Sequence, residues 1–157
     1  TFGTSGGYYD NLDVAKADGV ELQAAVSVTR DLLLSANYSH VRTLDETPGS
    51  ATYGMQAYQR PEDAANASIS YTWPDRLNTT VAARFSGYST SENFNIYPAQ
   101  LVHLGGYTLL NLRVSYPVSD NLEVYGRIDN ATDKWYETVY QFGTWGRTAF
   151  VGVRARL

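Results

Sequence analysis

Apolar and polar residues alternate with a period of two in seven stretches of the chain, approximately 19–28, 32–41, 64–73, 77–88, 107–116, 122–129 and 148–157. Each stretch is rich in β-branched or aromatic residues and is bounded by turn-forming residues, as in β-strands with one apolar face. No window shows the 3.6-residue period of a long amphipathic helix. The pattern therefore predicts an all-β fold.

The connections between these strands are alternately short and long. Pro, Asp and Asn supply turn chemistry in the short connections, which fall at 29–31, 74–76 and 117–121. The long connections fall at 42–63, 89–106 and 130–147. This order predicts an antiparallel up-and-down sheet with tight turns on one rim and extended loops on the other.

The apolar face of these strands contains many small residues: Ala24, Ala36, Ala65, Ala67, Ala83, Gly126, Ala149 and Ala155. Ala and Gly would leave voids between two sheets packed about 10 Å apart, whereas fluid lipid chains fill any contour. Ten residues tilted by about 40° also cover about 25 Å, the height of the apolar band of an outer-membrane barrel. Aromatic residues that suit a membrane-interface girdle lie near strand ends at Tyr38, Tyr71, Trp73 and Tyr116. Alternation alone is equally compatible with a soluble β-sandwich, so both folds stay open at this point.

Composition narrows the possible partners. The net charge is -4 and the 12 Lys and Arg residues are scattered, which argues against the basic face that a nucleic-acid partner requires. The absence of cysteine excludes a disulfide framework and any thiolate metal site. No run approaches the roughly 20 apolar residues of a membrane helix. The first residues, TFGTSGGYYDN, do not have the pattern of a signal peptide.

Catalytic and metal sites find little support in the sequence. The two histidines, His40 and His103, lie in or near different long connections, so neither a metal pair nor a positioned catalytic base is expected. Asp10, Asp13 and Asp18 match no calcium-loop template. We expect no metal, no cofactor and no enzymatic activity.

The most specific pattern lies between Gly105 and Leu157. This segment resembles the C-terminal end of TonB-dependent outer-membrane receptors, in which a gY-x-L-x-n-L-x-x-x-Y strand precedes an nL-x-l-x-g-R-v-x-N-l-x-D-k-x-Y-E run and a loop ending in G-R. The matching positions are Tyr107, Leu109, Leu112, Tyr116, Leu122, Arg127, Asn130, Asp133, Tyr136, Glu137, Gly146 and Arg147. Upstream, the segment NLDVAKADGVE and Arg60-Pro61 resemble further parts of the family.

The resemblance implies a transmembrane β-barrel in the outer membrane of Gram-negative bacteria, with about 22 strands. On this hypothesis residues 1–157 are its C-terminal part, and the plug domain and first strands are absent. The odd count of seven predicted strands supports a fragment. So does the charged polar face, which would crowd a small closed barrel but suits a wide lumen. These charges are Glu21, Arg84, Arg113, Glu123, Arg127, Asp129, Arg154 and Arg156.

The resemblance also implies a function. Receptors of this family take up scarce, bulky nutrients such as ferric siderophores or cobalamin, with energy that TonB transmits to the plug. The implied partners are outer-membrane lipid, the plug, TonB, the outer-membrane insertion machinery and a small-molecule or metal-chelate substrate. Two alternatives stay open: a small passive barrel or adhesin, and a soluble β-sandwich that binds a ligand through aromatic loops.

The aromatic connection at 130–147 is interpreted as the last outward-facing loop of the barrel. Trp135, Tyr140, Phe142 and Trp145 are candidate ligand contacts, and Asn130 and Asp133 are expected to bond the backbone of their own turn. The alternative is that these aromatics, with Tyr136, only pack the loop on its neighbours.

The last strand carries the predicted insertion signal. Its apolar alternation consists of Ala149, Val151, Val153, Ala155 and Leu157. The family usually ends in Phe or Trp where this chain has Leu157, and it commonly has Leu-Phe where this chain has Ala131-Thr132. These departures bear on insertion efficiency and on an apolar contact in the loop, respectively.

Overall fold

The structure is a computed structural model and describes residues 14–156. All of its regular elements in this range are β-strands, listed here in chain order: β1 Ala15–Ser27, β2 Leu32–Asp45, β3 Asp63–Thr72, β4 Asn78–Ser86, β5 Ser89–Asn93, β6 Gln100–Leu104, β7 Tyr107–Ser119, β8 Leu122–Asp129 and β9 Thr148–Ala155. A search of the same residues finds no helix long and apolar enough to cross a membrane.

Seven strands form one open antiparallel sheet, in the order β1-β2-β3-β4-β7-β8-β9, and β5 and β6 form a second, two-stranded sheet. Each strand of the main sheet pairs antiparallel with the next main-sheet strand along the chain, so the predicted all-β, antiparallel, up-and-down architecture is confirmed. We call the edge with the short connections the turn rim and the opposite edge the loop rim.

The strand register aligns the apolar residues in rows across the sheet. One row crosses all seven strands and consists of Val26, Leu34, Ile69, Val81, Leu112, Ile128 and Ala149. We call the face that carries this row the outer face, and the opposite face the inner face. Val26 is 57% exposed and Ile69 is 53% exposed. No second sheet covers the outer face within residues 14–156, so the β-sandwich alternative is wrong for the part that the structure describes.

Aromatic side chains mark the turn rim of the outer face. The rings of Tyr71 and Trp73 meet edge to face with their centroids 5.0 Å apart. The Trp73 indole donates a hydrogen bond to Thr79 Oγ1 at 3.1 Å. Tyr116, also on this face, is 41% exposed. An exposed ring with a satisfied polar atom suits the boundary between an apolar layer and water, where Trp and Tyr are enriched.

The connection predicted at 89–106 is largely a β-ribbon rather than an irregular loop. Ser86 pairs with Tyr107 at the end of the main sheet, and Ser89 pairs with Leu104 in the ribbon, so both ladders keep the same register. The ladder is interrupted at Gly106, where a Cβ atom would lie 2.9 Å from the Ser86 carbonyl oxygen. The sequence pattern missed the ribbon because its strands are only five residues long, β5 has no apolar residue, and β6 mixes polar with apolar residues on both faces.

Several strand ends differ from the predicted ones. β1 and β2 run further into the loop rim than expected, to Ala15 and Asp45, where they keep pairing although charged residues such as Asp18 and Arg42 now occupy the outer face. β7 continues to Ser119 through an irregularity between Pro117 and Ser119. β9 ends at Ala155, and Leu157 lies outside the described residues.

Candidate functional site

The inner face of β7–β9 carries a ladder of charges. Arg113 and Arg127 lie directly opposite each other, an arrangement that destabilises a sheet unless other groups compensate the like charges. Glu123 accepts a hydrogen bond from the Arg113 guanidinium at 2.9 Å and lies 3.5 Å from the Arg154 guanidinium. Arg127 lies 3.4 Å from a carboxylate oxygen of Asp129. The ladder therefore combines three cations with two anions.

Two of these arginines also lie over aromatic rings. The Arg113 guanidinium lies 4.6 Å from the ring centroid of Tyr125, and that of Arg127 lies 4.3 Å from the centroid of Phe150. Both distances permit cation–π attraction, which holds the two planar cations against the sheet. The predicted motif residue Arg127 thus lies in a preorganised cationic and aromatic surface.

The inner face of β2–β4 carries fewer charges, with Arg84 directly opposite Asn66. Ser35 and Ser68 share a hydrogen bond of 2.8 Å across the strands, and Ser70 and Thr80 share one of 2.9 Å. One row further along the strands, the side-chain amides of two paired asparagines, Asn37 and Asn66, are hydrogen-bonded at 3.0 Å. These groups satisfy one another within the wall.

At the loop rim, Asp45 organises the connection between β2 and β3. Its carboxylate accepts hydrogen bonds from the Ser50 hydroxyl at 2.6 Å, the Thr52 hydroxyl and the Thr47 backbone amide at 2.8 Å. The Asp45 side chain is almost fully buried. The hydrogen bonds from Ser50, Thr52 and Thr47 hold the pKa of Asp45 well below its usual range, because they stabilise the ionised form.

At the loop rim, the ribbon contacts both the β2–β3 connection and the last loop. The Gln59 amide donates to the Thr90 carbonyl at 2.8 Å, which joins the β2–β3 connection to the ribbon. The Tyr140 amide donates to the hydroxyl of Ser91, a fully buried side chain of the ribbon, at 3.2 Å. These contacts join residues that are up to 49 positions apart in the sequence.

Asn130 shapes the start of the last loop. It has a φ of 53°, in the left-handed region that Asn tolerates better than most residues. Its side-chain oxygen accepts from the Lys134 amide at 2.8 Å, and its side-chain amide donates to the Lys134 carbonyl at 2.9 Å. The expectation that Asn130 bonds its own turn is confirmed.

Asp133 closes the base of the loop instead of bonding its own turn as predicted. Its Oδ1 accepts a hydrogen bond from the Arg147 amide at 2.7 Å. A Cβ atom at Gly146 would lie 2.7 Å from the same oxygen. A larger residue at 146 would have to displace the carboxylate from this position, which gives a physical reason for Asp133, Gly146 and Arg147 to occur together.

A cleft of about 280 Å³ lies between the end of the ribbon and the last loop. The rings of Tyr107 and Tyr136, two motif residues, pack in its wall with centroids 4.3 Å apart. His103 and Lys134 also line this cleft, although their sequence positions gave no reason to select them as site residues. Glu137 lines it too, and its carboxylate accepts a hydrogen bond from the Gln141 amide at 3.1 Å.

The candidate ligand contacts fall into two groups. Trp135, Phe142 and Trp145 are strongly exposed, at 71%, 69% and 82%. Tyr140 is half-buried and, like Trp135, lines the cleft. The loop therefore packs through Tyr136 and Tyr140 and leaves the other three rings accessible.

Metal ligands are not brought together in the part of the chain that the structure describes, where no three His, Asp or Glu side chains form a cluster. His40 Nδ1 lies 2.8 Å from Asp63 Oδ1 on the outer face. His103 lines the cleft between the ribbon and the last loop. Asp10 and Asp13 fall outside the described residues.

A family model described as "TonB dependent receptor-like, beta-barrel" matches residues 1–131 of the chain. The chain belongs to the TonB-dependent receptor family. This membership confirms the predicted barrel fold and the predicted location in the outer membrane of Gram-negative bacteria. Members of the TonB-dependent receptor family are receptors and transporters rather than enzymes.

Solved receptor structures share the fold. The ferripyoverdine receptor of the outer membrane of Pseudomonas aeruginosa is 22% identical, with a TM-score of 0.71 over 90% of this chain and 19% of its own. The ferric yersiniabactin uptake receptor FyuA from Yersinia pestis is 18% identical, with a TM-score of 0.67 over 90% of this chain and 23% of its own. The ferric-catecholate import receptor Fiu from E. coli is 17% identical, with a TM-score of 0.73 over 90% of this chain and 21% of its own.

The chain thus spans about a fifth of the length of the solved receptors that it matches. The matched part in this chain consists of barrel wall and loop-rim segments.

Proposed function

We propose that these residues form the C-terminal part of a TonB-dependent receptor that imports a scarce, bulky nutrient, such as a ferric siderophore or cobalamin, across the outer membrane. The observation that carries the proposal is a single sheet with an exposed apolar outer face and a charged inner face, in a chain of this family. Several relatives are receptors for ferric chelates, which favours the siderophore class.

Different parts of the chain have different roles in this function. The outer face contacts lipid, and the inner face contacts a plug domain that the TonB protein acts on. The outward row of β9, formed by Ala149, Val151, Val153 and Ala155, serves as the signal for the insertion machinery. The complete barrel has about 22 strands, and the chain performs no covalent chemistry.

Ligand contacts are assigned to the last loop. Trp145 and Phe142 offer exposed rings, and Trp135 and Tyr140 line the cleft beside Lys134. Aromatic surface of this kind binds a bulky ligand at low conformational cost, because each ring has only two rotatable bonds.

Uptake assays on the native full-length product test this proposal. The product is expressed in a Gram-negative host without its own receptors and is offered radiolabelled ferric chelates and cobalamin, with and without TonB. We expect TonB-dependent uptake, reduced roughly tenfold in Trp145→Ala if the ring supplies about 1.4 kcal/mol of binding. Trp73→Ala, which removes an exposed indole at the turn rim, is the matched control and should not change uptake.

The mass of the native product tests the fragment hypothesis separately. A small passive barrel or adhesin predicts a product of 17.4 kDa that inserts alone as a heat-modifiable monomer. Finding such a product, or uptake that does not need TonB, would contradict the proposal.

A further inference from the structure

We propose that the ribbon β5–β6 couples the last loop, residues 130–147, to the β2–β3 connection, residues 46–62, so that the two segments order and loosen together. Ser91 is the positioning residue at this joint. The coupling goes beyond the proposed function, and only its consequence rests on that function: a ligand held by the last loop also orders the β2–β3 connection.

Each of the two segments is a block held by its own hydrogen bonds. The β2–β3 connection is folded around the Asp45 carboxylate, and its Ala57 amide donates to the Thr43 carbonyl at 2.7 Å. In the last loop, the Thr144 hydroxyl donates to the Tyr136 carbonyl at 2.6 Å. Because each block has internal bonds of this kind, a displacement at one of its residues is passed on to the others.

The ribbon is the element that is bonded to both blocks. Within residues 14–156, no hydrogen bond joins the two blocks directly. On one side the Gln59 amide donates to the Thr90 carbonyl at 2.8 Å. On the other side the Tyr140 amide donates to the Ser91 hydroxyl at 3.2 Å. Thr90 and Ser91 are adjacent in β5, so one short strand receives both contacts.

The contact with the last loop is well protected. The Ser91 side chain is fully buried, so water cannot replace the Tyr140 amide at its hydroxyl. Loss of the hydroxyl would leave a donor without its acceptor, which costs more than the hydrogen bond itself contributes. A second contact lies nearer the tip of the ribbon, where the Asn95 side-chain amide donates to Gln141 Oε1 at 2.5 Å.

The opposite face of the ribbon interacts with the β2–β3 connection. Glu92 follows Ser91 in β5, and successive side chains of a strand point to opposite faces. Partial burial, and next the nearby Glu92 carboxylate, raise the pKa of Tyr58 in the β2–β3 connection. The ribbon therefore interacts with a different block on each of its two faces.

The junction between the ribbon and the main sheet leaves this arrangement sensitive to the two blocks. The main ladder ends at the pair Ser86–Tyr107, and the ribbon ladder begins at the pair Ser89–Leu104. The four residues between these pairs form no ladder pair, and three of them are glycine, which permits many backbone conformations. Ladder hydrogen bonds therefore do not fix the orientation of the ribbon on the sheet, and its contacts with the two blocks contribute to it.

Hydrogen exchange in the native full-length product measures the coupling without a ligand. Asp133→Ala removes the acceptor of the Arg147 amide and loosens the last loop. Exchange follows local opening, and coupled blocks open together. We expect the protection factors of the 46–62 amides to fall about fivefold or more, the lower end of a typical coupling between sites. Asp45→Asn should in turn lower those of the 134–142 amides, because coupling acts in both directions.

Ser91→Ala tests the joint. In this background, D133A should change the protection factors of the 46–62 amides by less than about twofold, as for independent sites, while its effect within 130–147 remains. A purely structural role of Ser91 would weaken both blocks in S91A but leave the response to D133A in place. Ser89→Ala is the matched control, because it removes a hydroxyl from the same face of β5 that forms no hydrogen bond within residues 14–156, and it should preserve the response.

Ser91→Cys, which is close in size and a weak acceptor, replaces S91A if the latter does not insert, and it should also reduce the response. An unchanged 46–62 segment in D133A, or the same response with and without Ser91, would overturn the coupling. A response in one direction only would overturn it as well. Because the measurement needs no ligand, loss of import with an intact response contradicts the proposed function alone, and import without any response contradicts the coupling alone.

Discussion

Replacing Ala67 by arginine tests the claim that hydrocarbon contacts the outer face. Ala67 is exposed on this face, between the paired residues Ala36 and Ala83. It lies four residues from Tyr71 on the same strand, which is about 10 Å in height for a strand tilted by about 40°. In an apolar band of about 25 Å this position is close to the bilayer midplane, where an arginine costs about 2–4 kcal/mol.

The assay compares folding equilibria of the full-length product in lipid vesicles, with heat-modifiable electrophoretic mobility as the measure of the folded fraction. A cost of about 2–4 kcal/mol lowers the folding equilibrium constant about 30- to 900-fold. Ser68→Arg is the matched control, because it introduces the same charge one residue away on the polar inner face and should cost far less.

Ala67→Leu separates lipid from a packed protein layer. Lipid accommodates the larger side chain, so stability should be unchanged or slightly higher. A protein layer over the outer face would make the same substitution cost about 1–3 kcal/mol through overpacking. That result, or equal costs for A67R and S68R, would refute the assignment of the outer face to lipid.

Two further predictions concern the loop rim. Because the pKa of Asp45 is lowered in the folded state, its stabilising effect is complete above the ordinary aspartate pKa of about 3.9 and is lost as the pH falls below it. Protection factors of the 46–62 amides, which relate the exchange rate to its intrinsic value at each pH, should therefore fall in acid; Asp45→Asn should lower them at neutral pH, whereas Glu46→Gln should not, and equal protection in D45N would contradict the assigned role. Gly146→Ala should displace the Asp133 carboxylate and destabilise the closed loop by about 1–3 kcal/mol, seen as faster proteolysis within 130–147. Gly143→Ala is its control, since a Cβ there meets no atom within 4 Å, and equal proteolysis of the two variants would refute the steric explanation.

Much of the fold follows from local pattern. The period of two identified all seven strands of the main sheet, because each strand has an apolar and a polar side that its own residues specify. The strict alternation of connection lengths, which is also a local property of the chain, identified the up-and-down order. The ribbon β5–β6 was missed because it continues an existing ladder, and pairing with a neighbour requires no apolar contrast of its own.

The candidate site was predictable only in part. The resemblance located the last loop and its motif residues, but it could not separate the packed rings of Tyr136 and Tyr140 from the exposed ring of Trp145. Asp133 was also expected to bond its own turn, whereas it bonds Arg147 at the other end of the loop. Both outcomes depend on how the chain closes on itself, which no local period records.

The amino-acid sequence by itself determined the strands, their two faces and the membership of this chain in its family, because these properties depend on residue type and spacing along the chain. Only the tertiary structure decided which side chains meet across the sheet. Register pairs Arg113 with Arg127 and Ser68 with Ala82, and this pairing concentrates charge on the inner face of β7–β9. The physical reason is that cross-strand neighbours are set by long-range pairing, in which a shift of one residue would exchange every contact.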